Sequence, residues 1–320
     1  MPHGMPRMKQ VVAAPQPSLP PEGASAATTA AVRQPAAVPD TQRNDAPAHA
    51  GASDAAALAA LHAGAEALWQ RAVLTWPALS VEVVPRIDST NAELMRRGRA
   101  GQTDPVLLAA VAQNAGRGRA GRPWVTVPGG ALALSVGRVL EPPDWSGLSL
   151  AVGVAVAEAL GPAVQLKWPN DLWWRGRKLG GILIETASLP PPVSGRWCVV
   201  GIGINRCTPS LPPELAAHAV PPAGLEEAQR SGELPPWPLQ RLLEAVGWAT
   251  LQALAAFERE GLAPSLPGFA ARDALQGQPV RLSDGTVGCA CGVAPDGSLR
   301  VHTASGERWV QQGEVSVRPC

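Results

Sequence analysis

The continuous apolar run Val106 to Ala112 leaves this chain few choices. It is too short for a helix with a face of its own, so it reads as a buried strand. Ala131 to Val139 reads as a second strand, and residues 113–130 between them form a loop rich in glycine and arginine. Upstream, a helical pattern begins at Asp54. Ser53 and Asp54 can cap it, and Leu58, Leu61, Ala65, Leu68 and Trp69 recur at helical spacing. Val81 to Ile87 alternates as a strand. A short helix follows Ser89-Thr90-Asn91, with Leu94 and Met95 turned inward.

Downstream, Ser146 to Leu160 predicts a helix capped by Ser146 and stopped by Gly161 and Pro162. Strands are expected over 165–168, 172–174, 179–185 and 197–204, with Arg175-Gly176-Arg177 as a hairpin turn. A long amphipathic helix is expected over 235–260. From residue 277 the chain changes to short strands with turns at Asp284-Gly285 and Asp296-Gly297. Mixed helix and strand followed by all-β predicts an α+β fold: a mixed-sheet core over 54–270 and a small SH3-like β-barrel over 271–320.

Residues 1–53 hold almost no large apolar side chains, and such a segment cannot offset its ordering entropy. They read as a disordered Ala/Pro-rich tail, or in part as the product of an upstream start codon. The rest, in a chain that is 46% apolar, suffices for a substantial core. The net charge of +1 supplies no bulk field for nucleic acid or an anionic membrane. No uncharged apolar run approaches the roughly 18 residues of a membrane span. The five cysteines form no disulfide framework, which places the chain in a reducing compartment, the cytoplasm. Cys289 and Cys291 read as two thiols on one strand face, and no metal site is expected.

The chemistry begins with Gln113-Asn-Ala-Gly-Arg-Gly-Arg-Ala-Gly-Arg-Pro-Trp124. Arg117, Arg119 and Arg122 alternate with Gly116, Gly118 and Gly121. Glycines admit close backbone approach, and guanidinium forks suit phosphate oxygens. The loop reads as a flap over a phosphorylated ligand, not as a P-loop or a dinucleotide-binding turn; a solvated basic loop is the bland alternative. Lysine occurs only at positions 9, 167 and 178, so a chain that otherwise uses arginine places two lysines around Lys167-Trp-Pro-Asn170-Asp171 and Lys178-Leu-Gly-Gly. Lys178 and Asp171 form either a plain surface ion pair or a site where Lys178 brings two anions together and Asp171 orients an amine. Ser89, Thr90 and Asn91 read as a helix cap or as groups around a polar, uncharged ring. Gly201-Ile-Gly203-Ile-Asn205 reads as a strand lying close to a ligand, with Asn205 pointing into the cleft.

Taken together and in order, these five segments resemble the biotin–protein ligase family, strongly from about residue 80 to 208 and more weakly in the C-terminal module. The resemblance implies the mixed-sheet core of the biotin/lipoate ligase type. It implies ATP and Mg2+ as cofactors and biotin as substrate, a biotinyl-5′-AMP intermediate, and transfer to a lysine of the biotin carboxyl carrier protein of acetyl-CoA carboxylase. By motif, Ser89, Thr90, Asn91, Gln113, Arg117, Gly118, Arg119 and Lys178 match biotin-binding positions. Arg117, Arg119, Arg122, Trp124, Asn170, Lys178 and Asn205 match ATP- or adenylate-binding positions, and Lys178, Arg119 and Asp171 the catalytic ones. Some members carry an N-terminal winged helix; the segment before the core here is too short for one, so no DNA binding is expected. The Gly-Gly-rich sheet is compatible with the family's homodimer without deciding it. Lipoate–protein ligase and a non-catalytic biotin sensor are the alternatives. The first lacks the Gly-Arg-Gly-Arg loop, and the second has no need of Lys178 and Arg117.

Overall fold

The computed structural model describes residues 46–210, 220–311 and 317–319. Helix α1 (Ala46–Ala72) leads into β1 (Ser80–Ile87), α2 (Thr90–Arg99), β2 (Val106–Gln113), β3 (Ala131–Leu140) and α3 (Leu148–Leu160). Strands β4 (Gln165–Lys167), β5 (Asp171–Trp174), β6 (Arg177–Ser188) and β7 (Arg196–Asn205) follow. Then come α4 (Leu225–Arg230), α5 (Leu239–Glu260), α6 (Leu266–Ala270) and β8 (Pro279–Leu282), β9 (Val287–Val293), β10 (Leu299–Thr303), β11 (Gly306–Val310) and β12 (Val317–Pro319).

The first seven strands form one mixed sheet in the order β1-β2-β3-β7-β6-β5-β4, with β1 and β2 parallel and the other pairs antiparallel. Strand side chains alternate between faces, and here both faces are used. Leu107, Ala109 and Val111 of β2 join the large core with α1, α3 and α5. Val106 and Leu108 join a second cluster with Leu94 and Met95 of α2 and Trp197 and Val199 of β7. Cover on both faces explains why β2 is apolar without alternation. The helix α2 covers only part of its face. The exposed remainder of that face is where the cleft lies.

The C-terminal strands make a separate five-stranded antiparallel sheet, β11-β10-β9-β8-β12. Its buried residues Val280, Leu282, Leu299 and Val301 are continuous with the large core. It is fastened to the first sheet where Leu166 exchanges backbone bonds with Arg272 and Ala274, and where the Trp168 indole donates to the Gly297 carbonyl at 2.9 Å. The expected boundary at 270/271 falls at the end of α6.

Two expected helix starts are corrected. The first helix begins at Ala46, not Asp54, so Ser53 and Asp54 lie inside it and the expected tail is helical over 46–53. Alanines carry the helix through this stretch, and Asp54 pairs with Arg86 at 3.3 Å instead of capping. The rest of the expected tail lies outside the described residues. In α3 the cap is Gly147, held left-handed at φ 78°, and not Ser146. Ser146 instead donates its backbone N–H to Asp144 at 2.8 Å. The β5–β6 hairpin turns on Arg175 and Gly176, at φ 48° and 72°, as the sequence expects of a tight hairpin.

Candidate active site

A cleft of about 370 Å³ opens on the α2 side of the first sheet. Its floor is made by the small residues of β6 and β7, Gly181, Gly201 and Gly203. Ser89, Thr90 and Asn91 wall one end, with Gln113 beside them. The loop after β2 lies over it, contributing Arg117, Gly118, Arg119, Arg122 and Trp124. Asn170, Asp171, Lys178 and Asn205 close the other end. Every residue matched by motif to a binding or catalytic position lines this one cleft, and Lys178 shares it with Arg117 and Ser89; Lys167, Gly116 and Gly121 do not line it.

At the first end the polar groups are buried and mutually bonded. Ser89 caps α2 by accepting from the Ala92 N–H at 3.4 Å, so the plain-cap reading and the cleft-lining one both hold for it. The Thr90 N–H donates to Gln113 Oε1 at 2.8 Å. Asn91 Nδ2 donates to Glu185 Oε2 at 2.9 Å and to the Leu183 carbonyl at 3.3 Å. Ser135, completely buried on β3, lies 2.7 Å from Thr90 Oγ1 and 2.6 Å from Asn91 Oδ1. The sequence reading missed Ser135 and Glu185. Both stand in apolar strands, and the register that pairs Ser135 with Gly201 is what brings the serine to this face.

The other end is cationic. Asp171 stands across from Gly181, and its Oδ1 accepts from Lys178 Nζ at 2.7 Å. Lys167, the register partner of Asp171, is buried on the same face, over the Trp173 ring at 5.6 Å. Burial holds its ammonium below the usual lysine value of 10.5; the nearby Asp171 opposes this and Lys178 reinforces it. Arg119 NH1 donates to Asn170 Oδ1 at 3.3 Å, tying the loop to the β4–β5 turn. Burial also depresses the Arg119 pKa, with Asp171 opposing. Asn170 is itself fixed by donating to the Ile182 carbonyl at 2.7 Å.

Two sequence readings gain detail here. Gly201 and Gly203 line the cleft as expected, and the protein's own side chains also press on them. A Cβ on Gly201 would lie 2.1 Å from Asn91 Oδ1, and one on Gly203 would lie 2.4 Å from the Trp124 ring. Asn205 lines the cleft yet spends its amide on the Lys178 and Ala223 carbonyls, at 3.3 and 3.0 Å. It thereby holds the start of β6 in place. The letters Gly116-Arg-Gly-Arg-Ala-Gly121 match a dinucleotide fingerprint, but they hold only a single 3-10 turn at Arg119–Gly121 before the strand β3, with no α-helix to receive a pyrophosphate at its N-terminus. Burial, followed by a hydrogen bond with Glu226, raises the Cys207 thiol pKa.

The arrangement joins a preformed uncharged polar pocket to a cationic pocket roofed by a loop. Such a cleft can seat a neutral polar ring at one end and gather anionic groups at the other.

Residues 83–205 match the biotin/lipoate A/B protein ligase family. The chain is 42% identical over 136 residues to the biotin–[acetyl-CoA-carboxylase] ligase of Mycobacterium tuberculosis (strain ATCC 25618 / H37Rv), a match spanning 39% of this chain and 48%, about half, of that relative. It is 35% identical over 250 residues to the bifunctional ligase/repressor BirA of Escherichia coli (strain K12), covering 75% of this chain and 74% of that one. Among solved structures, the biotin protein ligase from Aquifex aeolicus in complex with biotin and ATP superposes with a TM-score of 0.60 at 26% identity. That match covers 75% of this chain and 99% of the other. No helix among the described residues is long and apolar enough to cross a membrane.

Proposed function

This chain belongs to the biotin/lipoate A/B protein ligase family, and from that premise we propose that it is a biotin–protein ligase acting in two steps. A carboxylate oxygen of biotin attacks the α-phosphorus of ATP, the bond to the β-phosphate oxygen breaks, and pyrophosphate leaves. The ε-amine of an acceptor lysine then attacks the acyl carbon of biotinyl-5′-AMP, AMP leaves, and the amine's extra proton passes to a base. The acceptor is the biotin carboxyl carrier protein of acetyl-CoA carboxylase, and the site of action the cytoplasm.

The observation that carries this reading is the shared cleft: Thr90, Asn91 and Gln113 at one end, with Ser135 bonded behind them, Arg119 and Lys178 at the other, and Arg117 on the loop above. The neutral end suits a cyclic urea. The cationic end suits a carboxylate meeting a phosphate, two anions that repel unless positive charge lies between them. In this reading Lys178 leaves Asp171 to contact both anions, and Asp171 then orients the acceptor amine. Arg117 and Arg122 hold phosphate oxygens, and Trp124 and Asn205 border the nucleotide. The loop excludes water from a mixed anhydride that water would hydrolyse. Gly118 lets the loop backbone approach.

Magnesium fits this donor set in one way. No group of three or more His, Cys, Asp or Glu among the described residues could hold a metal, and Asp171 is the carboxylate on the cleft wall. The ion would travel with the nucleotide's phosphates and keep several waters, as Mg2+ does readily; it would supply charge neutralisation there.

Incubation with ATP, Mg2+, biotin and a recombinant carrier domain, read by intact mass, tests the whole reading. The carrier should gain one biotinyl group, and pyrophosphate release should require biotin and ignore lipoate. Release with lipoate in place of biotin would overturn it. The proposed enzyme binds no operator DNA, which a gel shift at low salt checks. A homodimer is compatible with the reading, and sedimentation at micromolar concentration would establish it.

A further inference from the structure

We infer that Glu185, which does not line the cleft, sets the direction of the hydrogen bonds at its uncharged end and so makes that end accept N–H donors. This rests on the biotin reading and deepens it.

The argument follows the protons. The Glu185 carboxylate can only accept, so the group facing it at 2.9 Å must be the Asn91 amide nitrogen; the Leu183 carbonyl, at 3.3 Å, makes the same demand. Asn91 Oδ1 therefore points the other way, towards Ser135 Oγ at 2.6 Å, and it too can only accept. A hydroxyl has one proton. Ser135 must give its proton to Asn91 and has none for Thr90, though Thr90 Oγ1 is only 2.7 Å away. The Thr90 hydroxyl then donates, either to Ser135 Oγ at 2.7 Å or to Gln113 Oε1 at 3.2 Å. In both cases its proton stays within the protein, and Thr90 offers the cleft lone pairs alone.

Such a wall favours a ligand that brings its own N–H groups. A cyclic urea does; the disulfide ring and alkyl chain of the family's other substrate class do not. A site whose buried acceptors go unmet by the wrong ligand discriminates strongly. Glu185 acts through Asn91 from a neighbouring cavity that it shares with Arg96, Arg99 and Arg117. It is a positioning residue, and charge alone does not explain it: a cation at this position would, if anything, draw an anionic substrate in.

The test compares the whole chain with Glu185→Lys, which offers Asn91 donors in place of its shorter acceptor and leaves only the longer Leu183 bond to hold the amide's orientation, and with Glu185→Asp, which keeps the acceptor. Pyrophosphate release is followed against biotin and against ATP separately. Glu185→Lys should raise KM for biotin about a hundredfold and leave KM for ATP alone. Glu185→Asp should recover most of the loss. An unchanged biotin KM in Glu185→Lys, or an equal loss against both substrates, overturns the inference. If the unaltered chain itself releases no pyrophosphate with biotin, the functional reading fails first and separately.

Discussion

The two ends of the cleft are built on different principles. At the uncharged end, Ser89, Thr90 and Asn91 are each 3% exposed, they sit at the start of a helix, and their polar atoms are matched within the protein. At the cationic end, Arg119 sits on a loop containing a non-glycine residue, Ala120, at φ 55°, and it reaches the body through one 3.3 Å bond to Asn170. A satisfied buried network is rigid and selective. A loop held by few bonds can open and close at small cost. In the proposed function, recognition is thus fixed before the ligand arrives, and closure is left to the loop.

The largest test of this division is Lys178→Ala. It removes the cation on Asp171 and should slow pyrophosphate release about a thousandfold, with biotin affinity in the absence of ATP much less affected. Equal loss of both would mean that the two ends are not separable. Next come two alanine substitutions on neighbouring floor positions. Gly201→Ala would push Asn91 aside, whereas Gly203→Ala would push Trp124, given clearances of 2.1 and 2.4 Å. Overpacking of this kind costs about 1–3 kcal/mol, or roughly ten- to a hundredfold. The first should fall on KM for biotin and the second on KM for ATP; a swapped pattern would break the assignment of ends.

Arg119→Gly should still form the adenylate but let it escape, so that bystander proteins become labelled. Retention of the adenylate as tight as in the parent would show that the loop does not depend on its Asn170 latch. The smallest effect is expected at Lys167. Its folded pKa lies below the usual 10.5, so the unfolded chain binds more protons between the two values, and stability rises with pH across that window. Lys167→Met should abolish this alkaline slope and raise the melting temperature at neutral pH by about 2 °C. A slope that survives the substitution would place its source elsewhere.

Much of this was legible in the sequence because it is local. The hairpin at Arg175-Gly176, the apolar run of β2, the Gly161 stop of α3 and the C-terminal Asp-Gly turns all follow from neighbours in the chain. The failures were also local in origin. Ser53 and Ser146 look like caps, but Ala46 onwards continues the helix in one case and Gly147 takes the cap in the other. The glycines of β7 read as points of close approach beside the cleft, and they line it, but that Asn91 and Trp124 are what also comes near was not legible, since a missing Cβ says that something comes near but not what.

The amino-acid order by itself determined which segments would be strands, where the arginine-rich loop would hang, and which side chains had the chemistry for an anionic ligand. Only the folded chain decided that Ser135 and Glu185 complete the uncharged end. Their bonds to Asn91 span 44 and 94 residues. Contacts of that length leave no trace in periodicity or turn chemistry, because they are fixed by strand register across a sheet, and register is settled only when the whole sheet packs.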